Sequence, residues 1–160
     1  MTDYARVIDA LVTKGVKFII IGGAAAIAHG SSRLTEDLDI VYSRSRDNIE
    51  RLYRALMPLN PRLRGAPDNL PFRWDEETMR NDLNFTLATS AGSLDLFGEI
   101  IGGVTFEDLI ADSIPLNLFG RECLCLGLSR LIKVKLQTGR PKDIEVVAEL
   151  KVILEEQNRH

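Results

Sequence analysis

The stretch Lys17-Phe-Ile-Ile-Ile21 runs directly into Gly22-Gly23 and then into the alanine-rich segment Ala24 to His29. Three consecutive β-branched residues favour a strand buried on both faces, two glycines break it, and alanine is the strongest helix former. The chain is therefore expected to pass from strand to helix through a glycine turn. After a polar loop, Gly30 to Glu36, the segment Asp37-Leu-Asp-Ile-Val-Tyr42 alternates with period two and reads as a second strand. Asp47 to Leu56 then returns to helical spacing through Ile49, Leu52, Tyr53 and Leu56.

The flanking sequence extends this plan. Residues 3 to 13 place Tyr4, Val7, Ile8, Leu11 and Val12 on one helical face before Gly15. Residues 58 to 81 hold Pro58, Pro61, Pro67 and Pro71 and are expected to be irregular. Leu83 to Thr89 and Ser93 to Ile100 read as a hairpin around Ser90-Ala91-Gly92, and Ile114 to Leu118 with Glu122 to Leu126 as another around Phe119-Gly120-Arg121. Thr105 is a plausible N-cap for a helix to Asp112, and Ser129 to Thr138 and Lys142 to Gln157 close the chain as helices around Gly139-Arg-Pro141. Helices mixed with partly antiparallel strands make the class α+β.

A chain of 160 residues fits one compact domain, 1–160, with a core at about 16–127 and a C-terminal helical segment at about 129–157. Its 45% hydrophobic and 27% charged residues are those of a globular protein rather than a disordered one. The longest uncharged apolar stretch, Phe18 to Ala28, is 11 residues long, well short of the roughly 20 a membrane span needs. With Asp3 where a signal peptide would be basic, a cytoplasmic location and no membrane partner are expected. Cys123 and Cys125, two apart in an apolar run, point to one face of a strand and read as buried reduced thiols. The net charge of −3 argues against a general nucleic-acid coat protein. Locally, however, Arg44, Arg46, Arg51, Arg54, Arg62 and Arg64 stand against only Asp47 and Glu50, a run that is either a solvated face or a phosphate- or RNA-facing one.

Chemistry concentrates on carboxylates. Residues two apart on a strand share a face, so Asp37 and Asp39 project side by side while Leu38 and Ile40 enter the core. Like charges at that range repel by several kcal/mol in a partly buried site unless a cation or a proton lies between them. Taken alone, Asp-x-Asp is equally the end of a solvated strand. Two features change its weight. Gly22-Gly23 lies where phosphate could approach backbone amides at the positive end of a helix, and Ser93-Leu-Asp-Leu-Phe97 sends Leu94 and Leu96 inward and leaves Asp95 on the other face. A dinucleotide fingerprint lacks its third glycine, and no Gly-Lys-Ser/Thr exists for a P-loop.

In this order the residues resemble the polymerase-beta-like nucleotidyltransferases, whose motif is a strand-ending glycine pair, Asp-x-Asp on the next strand and a third carboxylate on a later one. Ile20-Ile-Gly-Gly-Ala-Ala-Ala-Ile-Ala-His-Gly30 and Arg33-x-Thr-x-Asp-x-Asp39 are similar to the minimal bacterial branch that includes abortive-infection and type IV toxin-antitoxin nucleotidyltransferases. Thr89-x-x-Gly-x-x-Asp-Leu-Phe-x-x-Ile-x-Gly-Gly103, Leu131-Ile-x-x-Lys135 and Arg140-Pro-Lys-Asp143 extend the resemblance over about 18 to 150.

The resemblance implies a nucleotidyltransferase fold, a mixed sheet flanked by helices, and transfer of a nucleotidyl group from a nucleoside triphosphate to an acceptor hydroxyl. Asp37, Asp39 and Asp95 would hold two magnesium ions, with manganese as a substitute, and Asp95 would act as the base. Gly22 and Gly23 would cradle the triphosphate, with Arg33 and Lys135 or Arg140 as further phosphate contacts; Arg140 and Asp143 are also placed to pair across a helix start. The acceptor is open among tRNA, a protein hydroxyl and a small molecule, and a cognate toxin or antitoxin partner is implied. The alternative is a non-catalytic nucleotide- or partner-binding module of such a pair. Glu145 stands where relatives often have aspartate, and a single domain without the extra domains by which longer relatives select acceptors is expected. His29 reads as a helix-end residue, and Trp74 is open to stacking on a base or covering the core edge.

Overall fold

The computed structural model describes residues 2–67 and 72–159. Helix α1 (Tyr4–Thr13), capped by the Asp3 side chain, leads into β1 (Phe18–Ile21). The helix α2 (Gly22–Ala28) starts on the first glycine, and the loop after it feeds β2 (Asp37–Tyr42). Helix α3 (Arg46–Leu56) follows, capped by Ser45. The first half of the chain thus takes the strand, glycine, helix, strand order of its sequence.

The proline-bearing segment is more regular than expected. A 3-10 turn (Met57–Leu59) leads to a two-residue strand, β3 (Arg62–Leu63), and the helix α4 (Glu76–Asn81) starts from Asp75, whose carboxylate accepts from the Thr78 N–H at 2.8 Å. The strand arises because a neighbouring edge offers free backbone partners, which no local propensity reveals. Pro71 lies outside the described residues.

The hairpin β4 (Asn84–Thr89) and β5 (Gly92–Phe97) comes next, but its second strand stops earlier than its periodicity suggests. A Cβ on Gly98 would lie 2.8 Å from the Leu83 carbonyl oxygen, so the chain passes close to its neighbour there and turns away. Glu99–Ile100 becomes β6 and pairs antiparallel with β7 (Val104–Thr105) in a separate two-stranded ribbon. Thr105 then caps α5 (Phe106–Leu109) in a reciprocal box with Asp108, and a 3-10 turn (Ile110–Asp112) completes it. The hairpin β8 (Ser113–Leu118) and β9 (Arg121–Leu126) turns on Phe119-Gly120, both at positive φ. Helices α6 (Leu128–Thr138) and α7 (Pro141–Asn158) follow.

Seven strands form one mixed sheet in the order β3-β4-β5-β2-β1-β9-β8. β1 is antiparallel to β2 but parallel to β9, and β2 is parallel to β5. Central placement explains the isoleucine run, since all four residues of β1 are buried. Leu38, Ile40, Leu94 and Leu96 are at most 1% exposed and fill the core face of the two strands that carry the aspartates. The other face of the sheet is left for the carboxylates. Helix α2 lies against β1 and β2, α6 packs on α2, and α7 packs on α6. Cys123 and Cys125 are free and buried, and burial pushes the Cys125 thiol up to about 12, which keeps it protonated. Among the described residues no helix is long and apolar enough to cross a membrane.

Candidate active site

Asp37 and Asp39 point away from the core, as their spacing requires, and the parallel register of β2 with β5 sets Asp39 directly beside Asp95 and Asp37 beside Ser93. Three carboxylates from two adjacent strands therefore share one face. They differ in surroundings. The Asp37 side chain is 47% exposed and that of Asp95 17%. Asp39 has a buried Oδ1 with no hydrogen-bond partner among the described residues. Burial first, then the charge and hydrogen bond of Asp95 and the charge of Asp37, push the Asp39 carboxyl up to about 7, against a small opposing pull from Lys135. A buried carboxylate oxygen without a partner is costly, and it marks the place where a cation or a proton is missing.

The glycine pair makes room for these groups. Gly22 adopts φ +66°, and a Cβ there would collide with Asp39 Oδ2; a Cβ on Gly23 would lie 2.8 Å from Thr35 Oγ1. The first glycine thus allows the Asp39 carboxylate to sit against the strand-to-helix turn, and the second allows the loop of residues 30–36 to close over it. That loop is tied down from both sides. Tyr4 donates to the Thr35 carbonyl at 2.6 Å, and Ser31 and Ser32 donate to Glu149 of α7 at 2.5 and 3.0 Å.

Gly22→Ala is expected to lower nucleotide affinity by tenfold or more. The left-handed backbone costs a non-glycine residue about 1–2 kcal/mol of stability, and the loss of affinity comes from the methyl group, which must displace the Asp39 carboxylate. Thermal melting and nucleotide titration check this together. Unchanged affinity per folded molecule would show that the glycine serves packing alone.

Two cavities meet at Asp39. One, of about 260 Å³, is polar and is bounded by Gly22, Gly23, Thr35 and the three aspartates, with Arg33, Lys135, Arg140 and Lys142 supplying cations. The other, of about 380 Å³, has apolar walls from Phe97, Ile100, Ile101, Leu131 and Val134. The turn at Gly98 places Ile100 and Ile101 on that wall. Lys135 and Asp143 line both cavities and pair at 3.8 Å, with the Lys135 side chain only 11% exposed. Burial lowers the Lys135 pKa, and the nearby Asp143 and Asp39 carboxylates oppose it. Burial raises the Asp143 carboxyl, but hydrogen bonds from Thr138 and Arg140 and the charges of Arg140 and Lys135 outweigh it, and the group stays below the usual carboxylate range. Arg140 and Asp143 do pair across the start of α7, at 2.8 Å, while Arg33 pairs with Glu145 at 3.2 Å on the rim.

Residues singled out by sequence divide into two groups. Asp37, Asp39, Asp95, Gly22, Gly23, Arg33 and Lys135 all border the polar cavity. His29 and Trp74 do not: His29 is the C-cap of α2, with Nε2 2.8 Å from the Leu126 carbonyl, and Trp74 donates to the Tyr53 carbonyl and stacks with Tyr53 at the core edge. Arg44 is equally structural, donating to the carbonyls of Met79, Arg80 and Asp82.

Arg64 was concealed within the arginine run. It follows β3, its N–H donates to the Thr86 carbonyl at 3.0 Å, and its guanidinium bridges Asp37, at 3.3 Å, and Asp95. Among the described residues no group of three or more His, Cys, Asp or Glu side chains is gathered to hold a metal ion. A guanidinium occupies the position between two of the carboxylates.

No protein-family model matches the chain, and no curated protein matches it. Solved structures do. The lincosamide antibiotic adenylyltransferase LnuA, determined with lincomycin bound, matches with a TM-score of 0.61 at 15% identity, over 95% of this chain and 98% of that one. A Thermotoga maritima protein whose own nucleotidyltransferase assignment is provisional matches with a TM-score of 0.57 at 16% identity, over 94% and 89%. The fold is therefore the nucleotidyltransferase fold.

Proposed function

We propose that the chain transfers a nucleotidyl group from a nucleoside triphosphate to an acceptor hydroxyl at the junction of the two cavities. What supports this reading above all is the side-by-side placement of Asp39 and Asp95 at the edge of a cavity with four cationic side chains. A divalent metal fits the donors present: three carboxylates supply hard oxygen ligands, and one buried oxygen of Asp39 has no hydrogen-bond partner among the described residues. Asp37, Asp39 and Asp95 would hold it. Magnesium bound there, as a pair of ions, would acidify the acceptor hydroxyl and offset the charge of the departing pyrophosphate.

The chain's own groups account for the remaining chemistry. Arg33, Lys135, Arg140 and Lys142 bind triphosphate oxygens, and Gly22 and Gly23 let those oxygens approach the turn. The acceptor oxygen attacks the α-phosphorus, the bond to the β-phosphate bridging oxygen breaks, pyrophosphate leaves, and the acceptor proton passes to the Asp95 carboxylate. The apolar chamber shelters the part of a substrate that carries no phosphate. The sequence resemblance to abortive-infection and toxin-antitoxin nucleotidyltransferases extends the reading to a macromolecular acceptor, tRNA or protein, and to a cognate partner; a small molecule is the other acceptor class.

Labelling separates these. Purified protein, magnesium and each of the four nucleoside triphosphates labelled at the α-phosphorus are incubated with total cell extract, and label is followed into RNA, protein and small molecules. Chelator-sensitive labelling of one pool is expected. If no pool is labelled and no nucleoside triphosphate binds by calorimetry, the reading is wrong; binding without labelling favours a nucleotide-binding module.

A further inference from the structure

Arg64 is held at the carboxylate site by its backbone as well as by its charge. Its N–H bonds to the Thr86 carbonyl at 3.0 Å, one residue beyond the paired strand β3, so the side chain is delivered to the site by the sheet. Its Nη1 reaches Asp37 Oδ1 at 3.3 Å and the Leu87 carbonyl at 3.4 Å, while Nη2 is bonded to Asp95 Oδ1. The Arg64 side chain is 28% exposed, so this fork is partly shielded from water. The guanidinium thereby neutralises two of the three aspartates and leaves Asp39 Oδ1 without a partner.

We infer that Arg64 is the resident counter-cation of this site, a positioning residue that holds Asp37 and Asp95 together until a divalent cation takes their oxygens and displaces it. The inference rests on the metal-dependent reading above. A carboxylate oxygen bonded to a guanidinium N–H cannot also direct the same lone pair at a metal, and a cation beside a second cation is repelled. Arg64 and the metal therefore compete for Asp37 and Asp95. Because its backbone is anchored to β4, the exchange is a side-chain rotation. Lysine would be a poor substitute, since an ammonium lacks the planar fork that spans two carboxylates.

The test uses Mn2+ as probe, with calorimetry and thermal melting as readouts and no turnover involved. Arg64→Gln should melt below the parent in chelator, because Asp37 and Asp95 then lack a neutralising partner. It should bind Mn2+ about tenfold more tightly, the scale of coupling between close charge pairs, and gain more in Tm when the ion is added. Arg64→Lys should fall between the two. Arg62→Gln removes the same charge from an exposed position two residues away and controls for the general field. If Arg62→Gln tightens Mn2+ binding as much as Arg64→Gln does, or if Arg64→Gln binds no more tightly than the parent, the displacement idea is overturned while the metal site stands. If none of the proteins binds Mn2+, the metal-site reading fails and this inference fails with it.

Discussion

Asp39→Asn is expected to abolish nucleotidyl transfer and, in the presence of chelator at pH 8, to melt above the parent protein. Opposite effects on activity and stability follow from one cause. The Asp39 carboxyl is held at about 7 by burial and by its aspartate neighbours, against 3.8 for an ordinary aspartate. Between those values the folded protein keeps a proton that the unfolded chain has released. The stability associated with that proton is fully present below pH 3.8 and is lost as pH rises through 7. Asparagine has nearly the same shape and no charge to acquire, so the variant escapes the loss. Each pKa unit corresponds to about 1.4 kcal/mol, and even one unit that survives solvent screening moves the Tm by about 3–6 °C in a chain of this size. Adding magnesium at pH 8 should raise the parent's Tm and leave the variant's unchanged, because the ligand that needs the cation most has gone. Melting curves at pH 5.5 and pH 8, with and without magnesium, decide the matter. A variant that melts below the parent in chelator at pH 8, or that still transfers, contradicts this account of Asp39.

The success and failure of sequence reading here have physical reasons. The placement of Asp37 and Asp39 on one face needs only the two-residue period of a strand, and the turn at Gly22 needs only a strand followed by alanines; both are local. Hairpins are local too, and β4–β5 and β8–β9 fall where their turn residues indicate. The meeting of Asp39 with Asp95 is not local. It depends on the parallel pairing of β2 with β5 across 49 intervening residues, and the order of motifs suggested it only through a family resemblance. Arg64 was harder still. Its role depends on a two-residue strand formed because β4 had a free edge, and nothing in Arg62-Leu-Arg64 marks it as different from the exposed arginines of α3. The early turn at Gly98 was likewise hidden, since Ser93 to Ile100 keeps a strand-like composition through the glycine and only the closeness of the Leu83 carbonyl reveals the break.

Asp95→Asn should separate transfer from binding. Asp95 is proposed to take the acceptor proton while the bond forms, a contribution made in the transition state, and Asp37 and Asp39 are proposed to act as soon as metal and nucleotide arrive. The expected drop in transfer is roughly a hundredfold or more, with much of the nucleotide affinity retained. The surrounding structure sharpens this. Asp95 is second only to burial among the causes that raise Asp39, so removing its charge lets the Asp39 carboxyl fall and ionise at lower pH. The variant's nucleotide affinity, measured with magnesium, should therefore depend less on pH between 6 and 8 than the parent's. Removal of Asp95 also frees one arm of the Arg64 fork and leaves the weaker contact to Asp37 as its remaining carboxylate pair. Loss of the competing bridge offsets part of what a missing metal ligand costs. A merely structural Asp95 would predict the reverse pattern: lower stability, unchanged transfer per folded molecule and an unchanged pH profile. Single-turnover transfer and nucleotide titrations from pH 6 to pH 8 distinguish the two, and transfer at the parental rate removes Asp95 from the role of base.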